Sequence, residues 1–381
     1  MQRTHKIRIY PNKEQEQILI QTVGTARYVY NWALSEWGKW YDDFKAGLRA
    51  DKPSAFSLSR KWTLERPEWA LLTSRAPQTK SILNLGAAYV KFFKGQAERP
   101  VFKKKGACSD SFYMDNAHAR LTATHLYLPK LGGIRLAESL RLSGKVMSYT
   151  ISTQAGRWFA AAQVEMPDRQ IPTSSVVVGV DVGMKTPATA SNGLALHLPA
   201  GLPRLDKKLR RAQRRVSRKQ ARSKNRAKAL RRKQVIQQRI SNIRQDSIHK
   251  YTAAVTKNQG TVVVETLNIA GMHRSPLKNV RSGYQRSCMA EVLNQLAYKA
   301  NRLVEANRFF PSTQLCSCCG GRKKMKLTER IYSCEVCGSV LDRDLNAAIN
   351  LEKYVGAVSP DIKPVEGGVH SRSSLQLSAA L

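Results

Sequence analysis

Apolar positions change period several times along the chain, and each change marks an element. Residues 4–10, THKIRIY, alternate polar and apolar with the two-residue period of a half-buried strand. Pro11 and Asn12 break it. From 13 to about 44 the period is helical, and Trp37, Trp40, Tyr41 and Phe44 fall at i, i+3, i+4 and i+7 on one stripe. Such a stripe is core packing far more often than a base-stacking surface. A breaker, Lys52-Pro53-Ser54, precedes helical stretches expected around 57–65 and from about 78 to 94.

Between 100 and 170 the pattern turns to strands. LYLPKLGGIRL, VMSYTIST and RWFAAAQVEM are separated by Gly, Ser and Gln-Ala-Gly turns. The N-terminal strand is expected to join this β unit, which makes the helical stretch an insertion in it. SVVVGVDV at 175–182 and TVVVETL at 261–267 are continuous apolar runs, the mark of strands covered on both faces. Short strand-like pieces lie near 187–199. In 203–250, Leu205, Leu209, Ala212 and Val216 keep helical spacing, as do Ile236, Ile240 and Ile243, predicting two long helices that turn near 223–225. A helix at about 286–300, a strand near 301–307 and a last helix at about 344–354 follow. The tail is rich in Ser, Gly and Pro and is expected to be disordered. There is no internal repeat.

Charge changes the picture most. With 64 Lys+Arg against 27 Asp+Glu, the 381 residues carry +37, which points to a polyanion such as nucleic acid. The 203–250 stretch alone holds 19 Lys+Arg and two acids, Asp206 and Asp246, so a bound nucleic acid is favoured over a merely solvated face. VFKKKG at 101–106 is a second basic stretch, open to a phosphate backbone or to solvent. No apolar run approaches the ~20 residues of a membrane span, and the N-terminus lacks the apolar core of a secretory signal. A membrane partner is not expected. Hydrophobic residues make up 42%, enough for two or three folded domains.

Five of the seven cysteines crowd into 316–337, which indicates metal binding in a reducing, intracellular compartment. Cys316-x-x-Cys319 and Cys334-x-x-Cys337, fourteen residues apart, predict one structural Zn²⁺ in a closed tetrahedral ribbon. Cys318 offers a second register, Cys-x-Cys, but the two-residue spacing selects Cys316 and Cys319. Cys108 and Cys288 stand alone as ordinary thiols.

Asp181 and Glu265 sit at the ends of the two apolar strands, and a third acid, Asp342 or Asp344, opens the last helix. Buried carboxylates are costly unless paired or bound to metal. Three of them without a histidine set suit Mg²⁺, and two such ions about 4 Å apart can hydrolyse a phosphodiester. Spacing alone leaves open which of Asp342 and Asp344 ligates and which caps the helix. His249 reads as a packing or phosphate contact rather than a base. No nucleophile elbow, phosphate loop or His-x-His pair is present.

GVDVGMK, VVVETLNIAGM, FFPSTQLCSCCG and DRDLNAAINL resemble the RuvC-type motifs and zinc ribbon of the TnpB family, transposon-encoded RNA-guided DNA endonucleases ancestral to type V CRISPR effectors. RIYPNKEQ, ARYVYNWAL, SILNLGAAYVKFF and LYLPKLGGIRL resemble other parts of that family, in order along nearly the whole chain. The resemblance implies an α/β fold with β and α modules. It places a β-barrel-like wedge domain at 1–10 and 98–172, a helical recognition module at 11–97, an RNase H-like RuvC nuclease domain at 173–311 and 339–355, a zinc ribbon at 312–338 and a disordered tail at 356–381. It implies Asp181, Glu265 and Asp344 as catalytic ligands of two Mg²⁺ ions, with Asp342 as cap or support. It further implies a guide RNA from the transposon end, a double-stranded DNA target beside a short transposon-associated motif, and a cytoplasmic prokaryotic protein acting at the nucleoid; the sequence leaves the oligomeric state open, with a monomer on its RNA favoured. Thr266 stands where many relatives carry a second acid, and Pro187 where an aromatic is common. The competing expectations are a guided repressor without cleavage, a strand-transferring transposase and a structural RNA-binding protein.

Overall fold

The computed structural model describes residues 1–106, 108–167, 174–257, 260–274, 276–277, 283, 287–326 and 328–357. The expected disordered tail lies outside these from 358 on. Among the described residues no helix is long and apolar enough to cross a membrane. The chain divides into two units between Arg169 and Gln170.

In the first unit the opening strand pairs with a strand that arrives more than a hundred residues later. β1 (Gln2–Tyr10) is antiparallel to β7 (Arg157–Glu165), from Gln2 opposite Glu165 to Ile9 opposite Trp158. Between them come α1 (Lys13–Lys45), α2 (Ala55–Glu65), a 3-10 turn (Glu68–Leu72) and α3 (Arg75–Phe93). Then follow β2 (Ser111–Asp115), β3 (Arg120–Leu121), β4 (His125–Leu128), β5 (Gly132–Leu136) and β6 (Lys145–Gln154). The sheet is antiparallel in the order β2-β6-β7-β1-β5-β4-β3. The alternation expected of β1 holds: Ile7 and Ile9 face a core with Ile134, Trp158 and Leu19 of α1. β2 escapes the sequence pattern because SFYMD is short and ends in an acid, although Phe112 and Met114 do alternate inward.

Asn12 does more than break the strand. Its Oδ1 accepts from Gln15 N–H (2.8 Å) while Gln15 Oε1 accepts from Asn12 N–H (3.0 Å), a capping box that starts α1. Trp37 and Trp40 are buried, and Trp37 stacks on Tyr89 of α3 at 4.3 Å between ring centroids. The aromatic stripe is therefore core. Lys103 of the VFKKKG stretch is folded back, with its Nζ 3.8 Å from the centroid of the Tyr30 ring and its backbone bonded to Asn31.

The second unit is built on β8 (Val177–Asp181), β9 (Thr189–Ala190), β10 (Thr261–Glu265) and β11 (Arg302–Ala306), in the sheet order β11-β10-β8-β9. β8, β10 and β11 are parallel and β9 is antiparallel to β8. Both faces are covered, which is why the strands read as unbroken apolar runs. One face packs Val178, Val180, Val262 and Val264 against α5 (Lys224–Thr256) and α7 (Met289–Lys299), through Ile248, Val255, Val292 and Leu296. The other carries Val263, Val304 and Ala306 against Leu351 of α8 (Arg343–Ala357). α4 (Leu202–Ser217) and α5 form a helical hairpin, and the turn at 218–223 comes slightly before the expected place because Ser223 Oγ caps α5 at Arg226 N–H (3.1 Å). A five-residue helix, α6 (Ile269–His273), follows β10. β12 (Ile331–Ser333) and β13 (Val340–Asp342) make a hairpin that leads directly into α8.

Gly179 sets how closely α8 approaches β8. A Cβ there would lie 2.0 Å from Ala348 O and 2.5 Å from Glu352 N, both backbone atoms. Only a residue without a side chain lets helix and strand touch, and that contact brings the start of α8 to the end of β8. Gly179→Ala is expected to lower the unfolding free energy by about 1–3 kcal/mol, the cost of overpacking. Gly24→Ala, on α1 where nothing lies within 4 Å, should raise it by about 0.5–1 kcal/mol. Denaturant melts of the two variants check the pair.

Candidate metal centres

Two knuckles of the same shape bring four cysteines together. Gly320 N–H bonds Cys316 O (2.9 Å) and Gly338 N–H bonds Cys334 O (3.1 Å), and each glycine is left-handed, at φ 77° and 69°. The Sγ atoms of Cys316, Cys319, Cys334 and Cys337 all lie within 4.8 Å of one another. Cys316 to Cys337 is 3.7 Å and Cys319 to Cys334 is 3.6 Å. A Zn–S bond of about 2.3 Å implies a tetrahedral edge of about 3.8 Å, so these residues fit Zn²⁺. Backbone N–H groups of Cys337 and Val336 bring the Cys334 thiol down to about 6, whereas the Cys319 and Cys337 thiols are raised within the same cluster. Cys318 is exposed and outside the cluster.

The first knuckle is bonded to one face of α8. Asn346 Oδ1 accepts from Ser317 N–H (2.9 Å) and its Nδ2 donates to Leu315 O (2.7 Å). Asn350 Nδ2 donates to Ser312 O (2.7 Å) and Leu315 O (2.8 Å). Lys353 Nζ donates to Ser317 O. These residues sit at i, i+4 and i+7, one stripe of a helix. Both asparagines are buried, and buried amides need such partners.

The acids meet at the other end of α8. Val180 is in register with Val264 on parallel strands, so Asp181 and Glu265 follow side by side on the face that carries Gly179. Asp181 is only 8% exposed. Burial, then the carboxylates of Glu265 and Asp344, push its pKa well above the ordinary 3.8, and Asp342 adds least. Asp342 is otherwise engaged: its Oδ1 accepts from the N–H of Asp344 (2.9 Å) and of Leu345 (3.1 Å), capping α8. Asp344 lies against Arg343 (3.7 Å) and Arg330 (4.0 Å), and Glu265 accepts a hydrogen bond from Ser312 Oγ. Among the described residues the cysteines alone close into a cluster of three or more ligands within 4.8 Å. The three carboxylates are near enough for their charges to interact but do not close within that distance.

Several neighbours had no signal in the sequence. Gly179 looks like any strand glycine until α8 lands on it. Ser312 lies in a quoted motif, but its bond to Glu265 spans 47 residues. Tyr251 of α5 is buried beside Asp181, whose charge, after burial, raises its pKa, and its hydroxyl has no hydrogen-bond partner among the described residues. The two departures are accommodated: Thr266 Oγ1 donates to Ala306 O (2.7 Å), and Pro187 is buried with its carbonyl toward Gly183 N–H (3.4 Å). His249 sits 3.2 Å from Lys299 Nζ, and burial first and that cation second lower its pKa.

On the α4–α5 hairpin, sixteen of the nineteen basic residues of 203–250 are exposed. Leu202, Val216 and Ile240 are buried, and Arg244 of α5 lies against Asp206 of α4 (3.6 Å). A surface so charged repels itself unless a polyanion lies along it.

Three family models match the chain: one described as "Probable transposase" over residues 161–276, a helix-turn-helix domain over 1–45, and a Cas12f1-like TNB domain over 290–351. Over 1–45 the structure has one strand and one long helix. The chain is 31% identical over 366 residues to "Putative RNA-guided DNA endonuclease InsQ" of Escherichia coli (strain K12), covering 91% of this chain and 90% of the relative. It is 32% identical over 369 residues to a protein of Streptomyces pristinaespiralis named in the same words without the last, covering 92% and 89%. Among solved structures, a chain of the "Cryo-EM structure of the Cas12f1-sgRNA-target DNA complex" shares the fold, with a TM-score of 0.52, 13% identity, and 92% and 98% of the two chains covered.

Two outcomes are expected. Cys334→Ser should lose the bound zinc measured by elemental analysis, while Cys318→Ser keeps it. Asp181→Asn should raise Tm in divalent-free buffer at neutral pH, by about 2–4 °C per kcal/mol of repulsion relieved. A carboxyl whose folded pKa is raised costs stability once it ionises, so the gain should shrink as pH falls and vanish below the ordinary value of 3.8. Thermal melts across pH check the sign.

Proposed function

The chain belongs to the TnpB family, and from that premise we propose that it is an RNA-guided DNA endonuclease. In this reading it hydrolyses target DNA beside a short transposon-associated motif, with Asp181, Glu265 and Asp344 holding two Mg²⁺ ions and Cys316, Cys319, Cys334 and Cys337 holding one Zn²⁺. The observation that carries it is the placement of Asp181 and Glu265 at adjacent ends of parallel strands, with Asp344 on the helix that packs across Gly179. Oxygen-only donors suit a pair of hard cations. Bound there, such ions activate a water and stabilise the leaving oxygen of a phosphodiester.

The protein's own part is to hold those donors. Ser312 fixes Glu265, Asp342 caps the helix so that Asp344 starts its first turn, and Arg343 and Arg330 flank Asp344. Asp181 is buried, which keeps its carboxylate largely from bulk water. The basic α4–α5 hairpin supports a guide RNA as partner, with base pairing reading the target and the protein reading duplex shape. The description "Probable transposase" favours a second reading, strand transfer. It differs in product, since transfer joins DNA ends where hydrolysis leaves them free.

The test is cleavage by the protein purified with its co-expressed RNA, given a matched duplex and Mg²⁺. The wild type should cut, and Asp181→Ala, Glu265→Ala and Asp344→Ala should each lose at least a hundredfold in rate with RNA binding intact. Equal cutting by wild type and Asp181→Ala would sink the nuclease reading, and joined products would favour transfer.

A further inference from the structure

Beside Glu265 lies a cleft of about 700 Å³ whose wall includes Asn268, Asn307, Arg308, Phe309, Ser312 and Arg322. The segment after β11 builds an unusual tip on that wall. Phe310 N–H bonds Asn307 O (2.9 Å) and Phe309 N–H bonds Asn307 Oδ1 (2.9 Å), closing a tight turn. Tyr354 of α8 anchors it from below, with its Oη accepting from Asn307 N–H (3.1 Å) and its ring edge-on to Phe310 at 4.9 Å. Of two adjacent phenylalanines, Phe310 is thus packed down and Phe309 is left 86% exposed. A large aromatic held out by a pinned turn costs solvation and contributes nothing to the core.

Charge on the same wall says what it suits. Among the described residues Glu265 is the sole acid lining the cleft, against Arg308 and Arg322, and two hydrogen bonds to Gln314 Oε1 (3.3 and 3.2 Å) orient the Arg322 guanidinium. An exposed ring beside two guanidinium groups matches a nucleotide strand whose base is unpaired: the ring meets a base face and the arginines meet phosphates. Inside a continuous duplex both faces of a base are already stacked on neighbours, so the ring suits an unpaired base better.

We propose that Phe309 is a base-stacking platform for the single-stranded DNA that enters the cleft, with Arg308 and Arg322 on its phosphates. This rests on the nuclease reading above. Because the ring is clamped by its turn and not by the core, Phe309→Ala leaves Tm unchanged.

The experiment uses the full protein with its co-purified RNA. A matched target carrying 5-iodouracil near the cut region is bound in Ca²⁺ and irradiated, and the crosslinked peptide is mapped. Cleavage in Mg²⁺ is measured for wild type, Phe309→Ala and Phe309→Trp. The expected result is a DNA crosslink on the peptide containing Phe309, a fall in cleavage of about tenfold or more for Phe309→Ala, recovery in Phe309→Trp, and unchanged guide-dependent target binding. An unchanged cleavage rate in Phe309→Ala, or a crosslink to the RNA instead, overturns the platform. If no target is cut even by wild type, the nuclease reading fails, and the crosslink alone then decides: its presence supports the platform and its absence overturns it.

Discussion

A carboxylate buried beside two others is the constraint around which the second unit is arranged. Asp181 ends a strand with helices on both faces, and Glu265 and Asp344 raise the cost of its charge. Like charges in a poorly solvated place drive their carriers apart unless the chain prevents it. Here three devices prevent it. Parallel pairing keeps Glu265 beside Asp181, the bare backbone of Gly179 lets α8 close on β8, and the Asp342 cap starts that helix at the right residue. Strand pairing, close packing and a cap all act through the backbone, so they position the acids without any attraction between the acids themselves.

The zinc ribbon belongs to the same arrangement. Its first knuckle is tied to α8 by Asn346, Asn350 and Lys353, and the second feeds into α8 through β13. The segment leading into the first knuckle also supplies Ser312 to Glu265. The four cysteines therefore brace two of the three acids, one by each end of the ribbon.

Opposite charge patterns share one unit. The acids occupy the carboxyl edge of a buried sheet, whereas the α4–α5 hairpin turns almost all its cations to solvent. Desolvation makes the first group few and costly, while solvent screening lets the second be many. A polyanion along the hairpin and cations at the acids would each remove a repulsion that the folded chain otherwise carries.

Local pattern was enough for much of this. Two-sided apolar runs marked β8 and β10, period 3.6 marked the hairpin helices, and the Cys-x-x-Cys spacing chose Cys316 and Cys319 over Cys318, because these features depend on neighbours within a few residues. Composition announced the polyanion. Spacing could not divide the roles of Asp342 and Asp344, and nothing local separated Phe309 from Phe310. The cap fell to Asp342 through bonds to Asp344 and Leu345 that only the folded backbone shows, and Phe310 was buried by a contact far along the chain, with Tyr354, just as Gly179 meets Ala348 and Ser312 meets Glu265. A sequence records which side chains are available, but which of them is buried, bonded or left exposed follows from where distant segments pack.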